Sequence, residues 1–335
     1  MRLRRFTFTG VLVTLIITVP MFGQLSSPQA TRAAKAKTAV LSRTRDGKPD
    51  LQGVWSFANL TPLQRPPEFA GKATLTEQEA ADWAKQVQER RNADRRDGSG
   101  NTDVSRAYND FWYDYGKGAS RQTSLIIDPP DGKLPPLTAE GQKRGQARAT
   151  AATRPAWGPE DRSLGERCIL GFNAGPPMLP SAYNNNVQIF QTRDSVVLLN
   201  EMVHNFRIIP LDGRRHGTVR QWNGDSVGHW EGNTLVVDTI NFSEKGTAFQ
   251  IPTDENLHLI ERFTRRDADT LIYEFTVEDP TVQTKAWTAS VPMTWTDEPV
   301  FEYACHEGNY GMLGILQGAR VEDKAAEEAA KNERK

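Results

Sequence analysis

From residue 186 to residue 306 the chain alternates apolar and polar residues in short runs, and the links between the runs are very short. Runs are expected at 186–192, 195–203, 205–210, 219–230, 233–241, 257–265, 270–278, 285–296 and 299–306. The links Arg193-Asp194, His204-Asn205, Glu231-Gly232-Asn233 and Arg266 to Asp269 cannot carry a crossover, so successive strands must be antiparallel neighbours. Eight or nine such strands remove their exposed edges best by closing on themselves. The expected class is therefore mainly β: an antiparallel barrel of eight to ten strands or a closely related sandwich, placed at 176–312.

The rest of the chain is arranged around that unit. Arg2, Arg4 and Arg5 precede an apolar run, Val11 to Phe22, that is too short to span a bilayer, so residues 1–30 read as a signal peptide. This implies a periplasmic or secreted protein with no membrane span after cleavage. Residues 31–47 are basic, small and without apolar periodicity, and are expected to form a flexible linker. Residues 48–175 should supply a first strand (DLQGVWSF, with Leu51, Gly53 and Trp55 on one face) and a partly helical capping segment. Thr76 and Glu79 match a capping box, and a second helix is expected to start at Thr138 with Glu140 in its first turn. Residues 313–335 form a charged tail.

Charge and motifs exclude several function classes. The 41 basic and 42 acidic side chains leave a net charge of -1, so no general field draws the chain to nucleic acid or an anionic membrane. No GxGxxG, P-loop or CxxC pair occurs, Ser226 in GDSVG lacks a nucleophile elbow around it, and no cofactor is expected. Cys168 and Cys305 are the only cysteines, and in an oxidising compartment the simplest expectation is one disulfide. Closing so long a loop is worth about 4–5 kcal/mol in chain entropy.

The runs DGKPDLQGVW, YNNNVQIFQT, LNEMVHNFRIIPLDGRRH, GDSVGHWEGNTLVVDT and EYACHEGNY resemble a family of exported bacterial proteins of uncharacterised function, over about residues 45–320. The resemblance implies no particular reaction. Gly53-Val54-Trp55 is also similar to the GxW of the first lipocalin strand, in keeping with a lipocalin- or calycin-like barrel.

All five histidines (His204, His216, His229, His258 and His306) lie in the strand-rich half, where a barrel interior could gather several for acid–base work. No HxH or HExxH spacing puts two on one face of one element, so no metal site is expected. Strand parity puts Glu201 with Val197 and Leu199, and Glu261 with Leu257, Leu259 and Phe263. A carboxylate on an apolar face suits general acid or base chemistry, or is neutralised as a structural pair by Arg207, Arg220 or Arg262. Asp225 and His229 share one side of a strand, on the order of 13 Å apart. Asp238 is a further inward candidate. Tyr183 to Asn186 could line a mouth that reads hydroxyls or amides, or simply form an Asn-rich turn. The eight tryptophans suit ring stacking or core packing.

The expected function is an exported module that binds a small apolar or ring-bearing molecule in its interior. Its ligand contacts would come from Tyr183, Asn185, His204, Arg207, Asp225, His258, Arg262, Trp287 and His306. The alternative is a cofactor-free hydrolase, lyase or isomerase using Glu201, Glu261 and His229 as general acids and bases. A scaffold without an enclosed polar site is the third possibility.

Overall fold

In the computed structural model the described residues are 41–105, 109–243 and 255–333, with the side chains of 103–105 excluded. The signal-peptide expectation and the first part of the expected linker lie outside them. Residues 43–47, also expected as linker, lie in a turn in which Arg43 bridges Pro49 and its guanidinium donates to Asn233.

Ten strands form one antiparallel sheet: β1 (Gly53–Ser56), β2 (Ile126–Asp128), β3 (Asn186–Gln191), β4 (Ser195–Asn200), β5 (Phe206–Pro210), β6 (Asp225–Glu231), β7 (Thr234–Ile240), β8 (His258–Arg265), β9 (Thr270–Glu278) and β10 (Trp287–Thr296). The order is β5-β4-β3-β1-β10-β9-β8-β7-β6, with β2 beside β10. β1 pairs with β3 through Trp55↔Val187 and with β10 through Trp55↔Trp295, and so joins two meanders that are each sequential.

The alternation works as a two-sided filter. One face of β6–β10 carries Leu235, Val237, Leu259, Phe263, Leu271, Tyr273, Phe275, Val277, Trp287 and Val291, all fully buried around Trp55 and Phe57. Each large side chain removed from water contributes about 1.5–3 kcal/mol, so this face drives the fold.

Between β5 and β6 the hydrogen-bonded path is open, and the sheet is not closed into a barrel. The two end strands nevertheless meet through side chains. Arg207 Nη1 lies 3.5 Å from Ser226 Oγ, and Asn223 Nδ2 donates to Asn205 Oδ1 at 2.7 Å. At Gly228 they approach closely, since a Cβ there would lie 2.8 Å from Ile209 of β5 and 2.9 Å from Leu211 just after it.

Two expected strands differ. Residues 219–224 are a loop, because Gly224 turns the chain at φ +68° before β6 begins. Residues 299–306 form no strand. They run as an irregular segment in which Cys305 meets Cys168, with Cα atoms 5.7 Å apart across a sequence separation of 137.

The helices lie outside the sheet. α1 (Glu77–Arg91) starts at the Thr76–Glu79 capping box and buries Ala80, Trp83, Ala84 and Val87 against Leu60 and Leu75. The short α2 (Gly100–Ser105) follows. α3 (Ala139–Thr153) is capped by Thr138, whose hydroxyl also donates to Thr281 O. α4 (Tyr310–Glu333) is tied down by Arg320, which donates to Ala156 O and Trp157 O. No described helix is long and apolar enough to cross a membrane.

Candidate functional site

One end of the sheet concentrates polar side chains that the core would otherwise exclude. On β4 the inward residues are Val196, Leu198 and Asn200, each fully buried. Register puts Leu198 opposite Arg207, and the bond from Asn200 N to Asn205 O sets Asn200 opposite Asn205. Asn200 and Arg207 are therefore diagonal neighbours on the inner face.

The link from β4 to β5 is backbone-strained. Glu201 takes helical angles (φ −62°, ψ −40°), and Val203 (φ 58°) and His204 (φ 40°) lie in the left-handed region. For a β-branched residue that conformation costs about 1–3 kcal/mol and persists only where the surroundings impose it. Here Met202 and Val203 are buried against Ala174, with Tyr183, Tyr303 and Cys305 packed alongside. Glu201 accepts from Asn186 Nδ2 at 2.9 Å and from Phe301 N at 3.1 Å. The turn is thus held from both sides.

A second segment, 173–186, crosses this end. Asn173, 1% exposed, donates to Tyr183 O, Asn184 O and Asn185 Oδ1. Asn185 in turn donates to Asp114 O and Ser181 O and accepts from Ser181 N, so it fixes the Asn-rich turn. Met178 N donates to Tyr273 Oη inside the core, and the disulfide fastens Cys168, just before the segment, to Cys305.

Below this end lies a buried charged pair. Arg207 meets Glu261 through two parallel bonds of 2.6 and 2.8 Å, and Tyr273 donates to the same carboxylate at 2.8 Å. The side chains of Arg207 and Glu261 are 3% and 0% exposed. Burial opposes the charge on Arg207, but the Glu261 carboxylate outweighs it and the guanidinium is held even above its ordinary value. Burial and the adjacent Glu261 charge push the Tyr273 hydroxyl well above 10. Ser226 and Thr239 share a hydroxyl bond beside the pair.

Four buried polar atoms at this end have no protein partner among the described residues: both amide atoms of Asn200, Nε of Arg207 and Oδ1 of Asn223. Oδ1 of Asn173 is in the same state. An unmade hydrogen bond at a buried group costs about 1–3 kcal/mol, so their accumulation at one place is costly. Asn200 is at the bottom, and the half-buried Asn205 and Asn223 stand at the seam between β5 and β6. Together they offer donors and acceptors to an uncharged group entering along the seam.

The residues singled out from sequence divide among several places. Glu261 faces inward as expected, but Arg207 neutralises it. Glu201 is buried by Asn186 and Phe301 instead of by the apolar face. Parity on β4 is one residue out from the expected phase, because Val196 and Leu198 point inward and Val197 and Leu199 outward. His229 is exposed on the outer face, bonded to Glu231, so Glu201, Glu261 and His229 share no hydrogen-bond partner. Arg262 pairs with Glu231 on that outer face. His204 and His306 are exposed. Trp287 is fully buried and donates to Gln283, as core. Tyr183 packs edge-on against Phe172.

Asp225, Asp238 and His258 stand on the outer face, and Asp238 corrects the inward expectation. With His216 and Glu278 they form one chain. His216 contacts Asp225 at 3.2 Å and Asp238 at 2.9 Å, and His258 contacts Asp238 at 3.0 Å and Glu278 at 2.9 Å. Among the described residues no three His, Cys, Asp or Glu side chains are arranged to hold a metal ion.

Asn173, Asn200, Asn205 and Asn223 were missed from sequence. The available signal was an amide on the core phase of a strand, in VVLLN, which correct parity would have exposed. Comparison with known protein families, with curated proteins and with solved structures found no match to this chain.

Proposed function

We propose that this protein binds a small, uncharged, hydrogen-bonding molecule, an amide or polyhydroxyl compound, at the seam between β5 and β6. The observation that carries this is Asn200, fully buried with neither amide atom partnered, diagonal to the unpartnered Nε of Arg207. Such groups give specificity because they are left unpaired by a ligand that cannot satisfy them.

We read the sheet as barrel-like, its last seam closed by side chains instead of a ladder, which provides an entrance where the polar residues are. The ligand expected from sequence was apolar and central. The volume around Trp55, Phe57, Phe275 and Trp287 is occupied by fully buried rings, which favours a polar ligand at the end over an apolar one at the centre. Export, inferred from the first thirty residues, accords with the disulfide. An acid–base reaction at Glu261 draws less support, since a bidentate guanidinium already occupies that carboxylate.

Native mass spectrometry of the protein purified from its own exported fraction tests the proposal. The expected result is a bound small molecule of mass consistent with an amide or polyol, lost in Asn200→Leu. A mass equal to the bare chain in both proteins, with no gain on adding concentrated culture medium, counts against it.

A further inference from the structure

The imidazole–carboxylate chain on the outer face is not part of the polar end, yet its His216 belongs to the loop that carries Asn223 there. Residues 211–224 connect β5 to β6. Their last part carries Asn223, which bonds Asn205 at the seam. Their middle carries His216, pinned to Asp225 of β6 and Asp238 of β7. Gly217 N donates to the same Asp225 oxygen at 2.7 Å, Gly217 O accepts from Asn241, and Gln221 N donates to Asn241 O.

A neutral imidazole has one N–H, and an ionised carboxylate only accepts. A ring whose two nitrogens each face a carboxylate keeps both contacts only when doubly protonated. His216, between Asp225 and Asp238, and His258, between Asp238 and Glu278, are both in this position. Removing a ring proton converts one contact in each case from attraction to lone-pair repulsion. Asp238 serves both rings, so loss at one is felt at the other.

Other charged groups surround the two rings. Within the loop, Arg214 is paired with Asp212 and its field reaches Asp225. Further along, Arg220 pairs with Glu255. On β8 and β9 the next charged outward residues are Arg262, bonded to Glu231, and its register partner Glu274.

We infer that His216 and His258, with Asp225, Asp238 and Glu278, form a proton-dependent latch that holds loop 211–224, and with it Asn223, against the β5–β6 seam. The latch itself stands on the hydrogen-bond geometry, and only its effect on binding rests on the ligand reading above. Burial opposes charge on the His258 ring, but its bonds to Asp238 and Glu278 outweigh that and raise it above 6.5. The contribution of His258 is therefore complete below its ordinary value and is lost as pH rises through the raised one.

Hydrogen–deuterium exchange of the full mature protein, without added ligand and corrected for intrinsic base catalysis, tests the latch. From about pH 5 to about pH 9, protection of loop 211–224 should fall about tenfold, while β8–β9 peptides stay constant. In Asp238→Asn the loop should be less protected at low pH and the pH step should shrink. His216→Gln, which keeps a hydrogen bond but cannot bridge both carboxylates as an imidazole does, should also flatten the step. Unchanged loop protection across the pH range, or an unaltered step in both variants, overturns the proposal. A normal pH step in a protein that binds no amide or polyol would overturn the ligand reading alone.

Discussion

Arg207→Met separates a buried charge pair from the fold around it. Glu261 then keeps only the Tyr273 hydroxyl, at 2.8 Å, in a site where its side chain is 0% exposed. Removing one partner of such a pair costs about 3–5 kcal/mol, because the remaining charge is neither hydrated nor balanced. Removing both, in Arg207→Met with Glu261→Leu, eliminates the uncompensated charge. What remains is a Tyr273 O–H without its acceptor, at about 1–3 kcal/mol, while the oxygen still accepts from Met178 N, and this is offset by the apolar packing gained. The double variant should therefore be more stable than the single one. Guanidinium titration with the disulfide intact, followed by tryptophan fluorescence and far-UV circular dichroism, reads both if the two probes coincide. Refutation would be a single variant within about 1 kcal/mol of the parent, or a double variant as unstable as the single one. Either would mean that the site admits water or relaxes enough to solvate the charge.

Reducing Cys168–Cys305, or replacing both by Ala, should destabilise by about 2–5 kcal/mol, read as a lower midpoint in the same titration, because the bridge spans 137 residues. The two glycines of α3 should respond in opposite directions in a thermal melt. Gly141→Ala puts a Cβ 2.3 Å from Val282 O and should cost about 1–3 kcal/mol. Gly145→Ala meets nothing within 4 Å and should stabilise by up to about 1 kcal/mol.

The strands were legible because burial on one face leaves a period of two in the sequence, which β9 keeps over its whole length and β8 over all but its last residue. The cysteine pair was legible from compartment and count. The insertion of β1 between β3 and β10 was not, because its partners at residues 187 and 295 are remote and nothing local in GVWS selects them. Residues 299–306 contain Phe301, Tyr303 and Cys305 in alternation, yet form no strand: a tertiary anchor, the disulfide, replaces sheet pairing.

The site was less legible than the fold. Placing Glu201 within β4 shifted that strand by one residue and hid Asn200, and only the helical backbone at Glu201 reveals the error. Histidines drew attention as chemistry-bearing residues, but two of them bridge carboxylates on the outside. Two of the polar residues that meet at the seam, Asn205 and Asn223, are asparagines, which look like turn formers in sequence.

Isothermal titration of the mature protein with acetamide, glycerol and a hexose, repeated on Asn200→Leu, tests the central claim most directly. Saturable binding of at least one probe by the parent and none by the variant is the predicted result, with a stabilisation of about 2.7 kcal/mol at a hundredfold excess over Kd. Contradiction would be a parent that binds none of them together with an Asn200→Leu variant that is simply more stable, which would make the buried amide a structural cost without a ligand.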